Sequence, residues 1–469
     1  MASLDQSRQN AVREFSQQHP NIPYVVPSSP DYAALRATFI VDNPAVPIAI
    51  ARPQNADDVA AIVKFCVARD VPFVVRSGGN NLFGKSQVDG ALTIDMRDVQ
   101  YCHVDESKTS ARIGGGILAG TLVQSLSQEG VVTASGTVHF IGYVGWSTYG
   151  GYGPFSANFG YGFEQILAAK VVNSTGEIID ADSDLLRGIR GAGGSFGIIV
   201  EMTIRVRPLT KILSGFMVYD TSKVINTVAT YCQGLQGLRD DGWPDPLCVA
   251  PLFLCTPDGL KLLSHFMWSE DNEAAGTSWL ERVSQLGRNL HNGVRRTTIL
   301  EAMGDFNRAI PQDGRGSVNT VSLRRLTDEC IAVIAKYVEC MPRYVGNGFA
   351  IHVAPKPAQA SVHDSVFAVT EAHYMLELLA TPRSEEGLHE SQRWGADFVS
   401  ELLKTGSSNI LPSTYINLTP PGRTTLQQVY GDNFTSVMEL KEKYDPHGVF
   451  KLATPFSYIP PADSVENAC

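Results

Sequence analysis

Between Gly136 and Gly153 the chain places glycine at 136, 142, 145, 150, 151 and 153, interleaved with Phe140, Tyr143, Trp146, Tyr149 and Tyr152. Glycine costs more backbone entropy on folding than any other residue. The aromatics, continued by Phe155, argue against a floppy exposed loop. An extended ligand lying along the backbone would justify the cost. A second glycine loop, Arg76-Ser77-Gly78-Gly79-Asn80-Asn81, follows the short β-branched strand read over Val71 to Val75. Its N–H groups and the Ser77 hydroxyl suit a pyrophosphate, although an ordinary tight turn explains the stretch equally well. No GxGxxG opens a helix after a first strand, and there is no Walker A loop. A dinucleotide held here needs another architecture.

The rest of the chain supplies the frame. A strand at Ile48 to Ala51 leads to a helix with an apolar face of Val59, Ile62, Val63 and Cys66. Leu92 to Asp95 reads as a strand, Ala119 to Glu129 as a helix, and Leu167 to Val172 with Glu177 to Asp180 as a hairpin. Gly191 to Gly197 reads as a loop and Ile198 to Val206 as a strand. After about residue 210 longer strand-like runs appear: Leu213 to Val218, Leu247 to Leu254, Leu260 to Met267, Gly348 to Ala354 and Phe367 to Leu379. Helices at Thr277 to Leu286 and Thr327 to Glu339 intervene. This is the pattern of an α+β domain whose antiparallel sheet has helices on one face and a free face to roof a site. The Pro- and Tyr-rich segment from Asn409, with a helix at Leu426 to Lys443, is expected to return to the first domain.

The net charge of −10 argues against a general binder of nucleic acid or anionic membranes. The cysteines form no CxxC pair and no zinc-ligand spacing, so they read as mostly buried thiols. No Ser-His-Asp order or metal cluster stands out. The N-terminus lacks an apolar signal core and no apolar run spans a bilayer, so a cytoplasmic location is expected and the sequons at Asn173, Asn417 and Asn433 are read as silent.

Four stretches in order resemble the berberine-bridge-enzyme-like branch of the vanillyl-alcohol oxidase superfamily. They are Pro72 to Gly84, Gly136 to Gly153, Leu185 to Leu209 with its IRGAGGSFGIIV run, and the tail with Tyr415-Ile416-Asn417, Tyr430-Gly431-Asp432-Asn433-Phe434 and Lys443-Tyr444-Asp445-Pro446. The resemblance implies a two-part PCMH-type FAD-binding domain over residues 1–209, a substrate domain over 210–408, and a returning C-terminal segment over 409–469. It implies FAD against Arg76, Ser77, Gly78, Gly79, Asn80, Asn81, Gly136, Thr137, Val138, His139, Gly142, Gly145, Gly151, Gly153, Ile199 and Asn417. Many members tether the flavin through a histidine and a cysteine. Here Asn80 and Val138 stand at those positions, so noncovalent FAD is expected, with His139 the nearest substitute tether. Losing the tethers should lower the flavin potential.

The implied activity is oxidation of a small organic, specialised-metabolite substrate by hydride transfer to flavin N5, with molecular oxygen as a candidate reoxidant. The alternatives are a redox-neutral flavin-containing cyclase or isomerase, and a non-catalytic carrier. Tyr415 is the expected base. In the strand Phe367 to Leu379, alternation puts Glu371 and His373 on one face and Tyr374 on the other. Glu371 and His373 are expected to be catalytic. Trp146, Tyr152, Phe155, His352 and Tyr374 are expected to line the substrate pocket.

Overall fold

The computed structural model describes residues 2–458, with side chains described from 7 to 457. Its first layer is a four-stranded sheet in the order Tyr24–Val25, Ala49–Ala51, Leu92–Asp95, Phe73–Arg76. The last three strands run parallel, and the first pairs antiparallel. The helix Ala56–Arg69 connects two of them. The Asn55 side chain accepts from Asp58 N at its start, Asp57 and Asp58 favour the positive helix end, and Asp70 closes it in a left-handed conformation. Its face of Val59, Ile62, Val63 and Cys66 packs in one core with Ala49, Leu92 and Ile94 of this sheet and Val172, Ile198 and Val200 of the next. The helix is therefore held between the two sheets.

The second sheet is antiparallel, in the order Cys102–Val104, Ser110–Gly114, Ile198–Arg205, Ile166–Val172, Ile178–Asp180. The third has eight antiparallel strands. Its main path is Asn289–Asn292, Ile212–Tyr219, Gly259–Trp268, Leu247–Thr256, Gly348–Ala354, His373–Ala380 and Ser317–Leu323, with Arg295–Thr297 beside Ile212–Tyr219. The chain is thus α+β, as its pattern indicates.

Strand alternation sorts this large sheet into two faces. Tyr219, Leu262, Val249, Phe349, Ile351, Tyr374 and Leu376 share a core with Val228 and Tyr231 of helix Val224–Asp240, Ile334 and Val338 of helix Asp328–Glu339, and Phe398 of helix Leu388–Leu402. Burying each such side chain contributes about 1.5–3 kcal/mol. Their neighbours in sequence turn to the opposite face, which no helix of that core covers.

Two local expectations are corrected and one holds. The run Leu426 to Lys443 is two helices, Leu426–Tyr430 and Phe434–Tyr444, because Gly431 takes a positive φ of 52° between them. Gly191 to Gly197 is turn-rich as read, with non-helical backbone at Arg190 and Gly191 where helix Ser183–Ala192 ends and a 3-10 turn over Gly193–Phe196. The strand read from Phe367 begins only at His373, since Ser365–Ala372 carries no ladder pairing. The strand Ser317–Leu323 was not legible. The Lys443-Tyr444-Asp445-Pro446 motif is a structural clasp: the buried Asp445 carboxylate accepts from Lys441 Nζ (2.6 Å), Val449 N (2.7 Å) and Phe450 N (3.0 Å). It presents Phe450 to Phe73, with ring centroids 5.9 Å apart. Among the described residues no helix is long and apolar enough to cross a membrane, and no cluster suits a metal ion. Of the described cysteines, Cys66, Cys232, Cys255 and Cys330 are buried and Cys340 is exposed. Cys469 lies outside the described residues.

Candidate active site

A cavity of about 480 Å³ runs between the two glycine loops and the free face of the large sheet. The strand Phe73–Arg76 delivers the first loop and the segment Gly136–Gly145 the second. The loops meet backbone to backbone. A Cβ on Gly78 would stand 2.3 Å from Gly142 N, and one on Gly142 would stand 2.2 Å from Ser77 Oγ. Asn80 Nδ2 donates to Phe140 O at 2.6 Å and bridges them. These glycines are required by the close approach of the loops themselves.

Gly145 and Gly194 are different. Both line the cavity, and a Cβ on either would meet nothing within 4 Å. Each keeps a volume empty where a side chain would otherwise intrude. Ser77 lines the cavity, and its Oγ, turned inward against Gly142, has no hydrogen-bond partner. Such an atom costs about 1–3 kcal/mol unless a ligand completes it. Val75, at 37% exposure, is an apolar wall residue left uncovered. An unpaired hydroxyl, two side-chain-free walls and an uncovered valine fit an extended, partly polar and partly flat ligand such as FAD.

The facing wall is the sheet. Phe216, Ala250, Leu252, Leu254 and Met375 make it apolar. Its polar members are His265, His352 and Glu377. His352 Nε2 lies 3.0 Å from Glu377 Oε2, bound across neighbouring strands. At the join of the two walls stand Tyr415 and Asn417. Asn417 Nδ2 donates to Tyr415 Oη at 3.1 Å. Burial pushes the Tyr415 hydroxyl up to about 12, the Asn417 hydrogen bond opposes this, and the Glu377 charge adds to it.

Of the residues singled out from sequence, the cavity gathers Ser77, Gly78, Gly79, Asn80, Asn81, Gly136, Thr137, Val138, Gly142, Gly145, Trp146, Tyr152, Ile199, His352, Tyr415 and Asn417. The others lie elsewhere, each for a physical reason. Arg76 is buried with its guanidinium donating to Leu35 O (2.6 Å) and Ala37 O (2.5 Å), so it ties down the N-terminal segment. His139 is exposed, and its Nδ1 meets Asn307 Oδ1 at 2.6 Å. Gly151 and Gly153 pack closely against Gly162 Cα and Ser135 O. Phe155 is buried and stacks on Phe159, with centroids 5.1 Å apart. Tyr374 faces the helices, where Arg239 sits over its ring at 4.4 Å. Glu371 precedes the strand and forms a two-pronged ion pair with Arg324, both contacts 2.9 Å.

His373 stands one layer behind the wall. Its Nδ1 lies 3.0 Å from Glu371 O and its Nε2 lies 3.0 Å from Tyr152 Oη. A carbonyl only accepts, so Nδ1 carries the proton. Burial pushes the imidazole down to about 4, so Nε2 is bare near neutrality and Tyr152 donates to it. The Tyr152 ring in turn packs edge-on against Tyr415 at 4.7 Å. His373 thus orients Tyr152, which lines the cavity beside Tyr415.

Sequence reasoning missed His265 and Glu377. Glu377 follows from the alternation that linked Glu371 with His373, carried two steps further. His265, a lone histidine in an apolar strand, gave no signal of its own.

Residues 47–182 match the FAD binding domain family. The FAD-linked oxidoreductase aurO of Gibberella zeae is 30% identical over 448 residues, covering 94% of this chain and 87% of that protein. Berberine-bridge-enzyme-like 1 of Physcomitrella patens superposes with a TM-score of 0.81 at 18% identity, covering 96% of this chain and 99% of that one. The glucooligosaccharide oxidase of Acremonium strictum, which carries a 6-S-cysteinyl, 8α-N1-histidyl FAD, superposes with a TM-score of 0.80 at 18% identity, covering 92% and 96%. At such identities the structural likenesses speak for the fold.

Proposed function

Because this chain belongs to the family of FAD-linked oxidoreductases, we propose that it holds FAD noncovalently along the glycine trench and oxidises a small, largely apolar specialised-metabolite-type substrate under the sheet. One observation carries the reading. A single cavity joins the side-chain-free walls at Gly145 and Gly194 to the apolar sheet face, with Tyr415 and Asn417 at the join.

The noncovalent link rests on the residues at the two tethering positions. Asn80 spends its amide on Phe140 O, and Val138 has no nucleophilic atom. His139 is engaged by Asn307, and no described cysteine lines the cavity.

FAD, when bound, would supply the two-electron acceptor that takes a hydride at N5. The chain's residues would do the rest. Ser77 Oγ, sealed against Gly142 and unpaired within the protein, would reach the cofactor only by turning about its Cα–Cβ bond toward the cavity. Phe216, Leu252 and Met375 would exclude water from the substrate. Tyr415, as the phenolate stabilised by Asn417 Nδ2, would accept the substrate O–H proton and become the neutral phenol. The His352–Glu377 pair would hold a polar group of the substrate in register with Tyr415. Molecular oxygen is the expected reoxidant.

The same acid–base groups favour a second reading, a redox-neutral cyclase or isomerase. Anaerobic addition of small aromatic alcohols and phenols separates the two. Bleaching of the oxidised flavin band supports oxidation. Product formation with the band unchanged selects the redox-neutral enzyme.

A further inference from the structure

On the sheet wall of the cavity, the reaction proposed above leaves His265 unused among the polar members His265, His352 and Glu377. His265, on strand Gly259–Trp268, lines the cavity at 6% exposure. Its Nε2 shares a hydrogen bond of 3.1 Å with Ser214 Oγ. Its Nδ1 has no described protein partner, yet it is absent from the side-chain atoms sealed off without one. It therefore opens on the cavity. Phe216 and Phe306 also line the cavity, and their rings lie 5.2 and 5.6 Å from the imidazole. The three rings form an aromatic wall with one unsatisfied polar atom. Burial pushes the imidazole down to about 4, so it is neutral near pH ~7. The Ser214 hydroxyl rotates to donate or accept, so Nδ1 can carry a proton or a lone pair.

The sheet register fixes how far this residue lies from Glu377, whose pair with His352 is proposed to hold the substrate in register with Tyr415. His265 pairs with Ala250, Leu252 with Ala350, and Ala350 with Glu377. Three interstrand steps of about 4.8 Å separate the strands of His265 and Glu377, and the two-residue offset from Ala250 to Leu252 adds about 7 Å along the strand, roughly 16 Å between the two positions. The floor between is Ala250, Leu252 and Ala350, apolar and mostly small. A short substrate would leave His265 unpaired, and a bulky aliphatic one would not lie flat on alanines.

We infer that His265 is a specificity-determining residue, which reads a hydroxyl or carbonyl oxygen at the end of a flat, fused-ring aromatic substrate opposite its reacting hydroxyl. This rests on the oxidase reading for the identity of the reacting end. It assigns to the far end a substrate class and a recognition atom.

Two probes test it: anthraflavic acid, a fused three-ring quinone with a hydroxyl at each end, and its analogue lacking one hydroxyl. Both are titrated calorimetrically into the purified protein supplied with FAD. The unmodified protein is expected to bind anthraflavic acid at least about tenfold more tightly, because a buried reader left unpaired penalises the shorter probe. His265→Phe, which keeps the ring and removes the polar atom, is expected to bring the two affinities within about twofold. His265→Gln, which keeps a polar atom, is expected to restore part of the difference. Equal affinities in the unmodified protein, a preference that survives His265→Phe, or no binding of either probe would overturn the inference. Flavin content is scored by absorbance in the same samples. A preparation that never retains FAD counts against the oxidase reading, while the ratio of probe affinities is still read from the heat.

Discussion

At the scale of single residues, Tyr415 and the cavity histidines carry the testable chemistry. Tyr415→Phe removes the proposed proton acceptor and leaves the ring, so kcat is expected to fall by about 10²–10⁴-fold with the flavin spectrum unchanged. Since burial pushes Tyr415 up to about 12, the phenolate fraction is small at neutrality. The unmodified enzyme's rate should climb with pH over the alkaline range, and this limb should vanish in Tyr415→Phe. A second pH effect concerns stability. His265 and His373 are both pushed by burial from 6.5 down to about 4. Unfolded, each binds a proton below about pH 6.5, whereas folded it resists until about 4, so the unfolded state holds more protons in that window. The stabilisation is present above about pH 6.5 and is lost as pH falls through about 4, by up to about 3 kcal/mol for each histidine. Urea midpoints should therefore drop between about pH 7 and 4.5, and less steeply in His265→Gln. Tyr415 and Asn417 were reached through the family resemblance of the tail motif that holds them both. Sequence reading misplaced Arg76 and Glu371 because their partners, Leu35, Ala37 and Arg324, lie some forty residues away in sequence, where no local pattern reports them.

At the scale of elements, two glycines of one constellation do different work, and substitution should separate them. Gly78→Ala drives a Cβ into the Gly142 backbone at 2.3 Å. Backbone cannot step aside as a side chain does, so a loss of about 1–3 kcal/mol in stability is expected, with weakened FAD binding. Gly145→Ala meets no protein atom within 4 Å. The melting temperature without FAD should hold, while FAD affinity falls. Equal loss of stability in both variants would contradict the division of roles. The two glycine loops were legible as neighbours, and both line the cavity. That part of their glycine content serves loop-on-loop packing was not legible, because Gly78 and Gly142 look alike in sequence. The strand Gly348–Ala354 was legible to the residue, whereas the run read from Phe367 overshot the start at His373 and its far face, with Tyr374, was misassigned to the pocket. The break at Gly431 was hidden because the apolar period of Leu426 to Lys443 continues through it.

At the scale of the molecule, the cavity is roofed by one layer and floored by another, so an occupant touching both should tie them together. Deflavinated protein is expected to melt at a lower temperature than the FAD-loaded form, and the difference should grow with free FAD. The stabilisation is about 4 kcal/mol when FAD exceeds its dissociation constant a thousandfold. The division into a glycine-rich α/β part and an antiparallel sheet backed by helices was readable from texture alone. The cavity was not, because it arises where Leu252 meets Ala350 and where Tyr415 returns beneath Glu377, pairings far apart in the chain. The most direct test of the central claim is acid precipitation of the purified protein, followed by absorbance of both fractions. Yellow colour in the supernatant, with FAD recovered intact, is the expected result. Colour retained in the pellet would contradict the noncovalent assignment and require a tether other than Asn80 or Val138. Protein that is colourless and does not take up added FAD would contradict the proposed cofactor site itself.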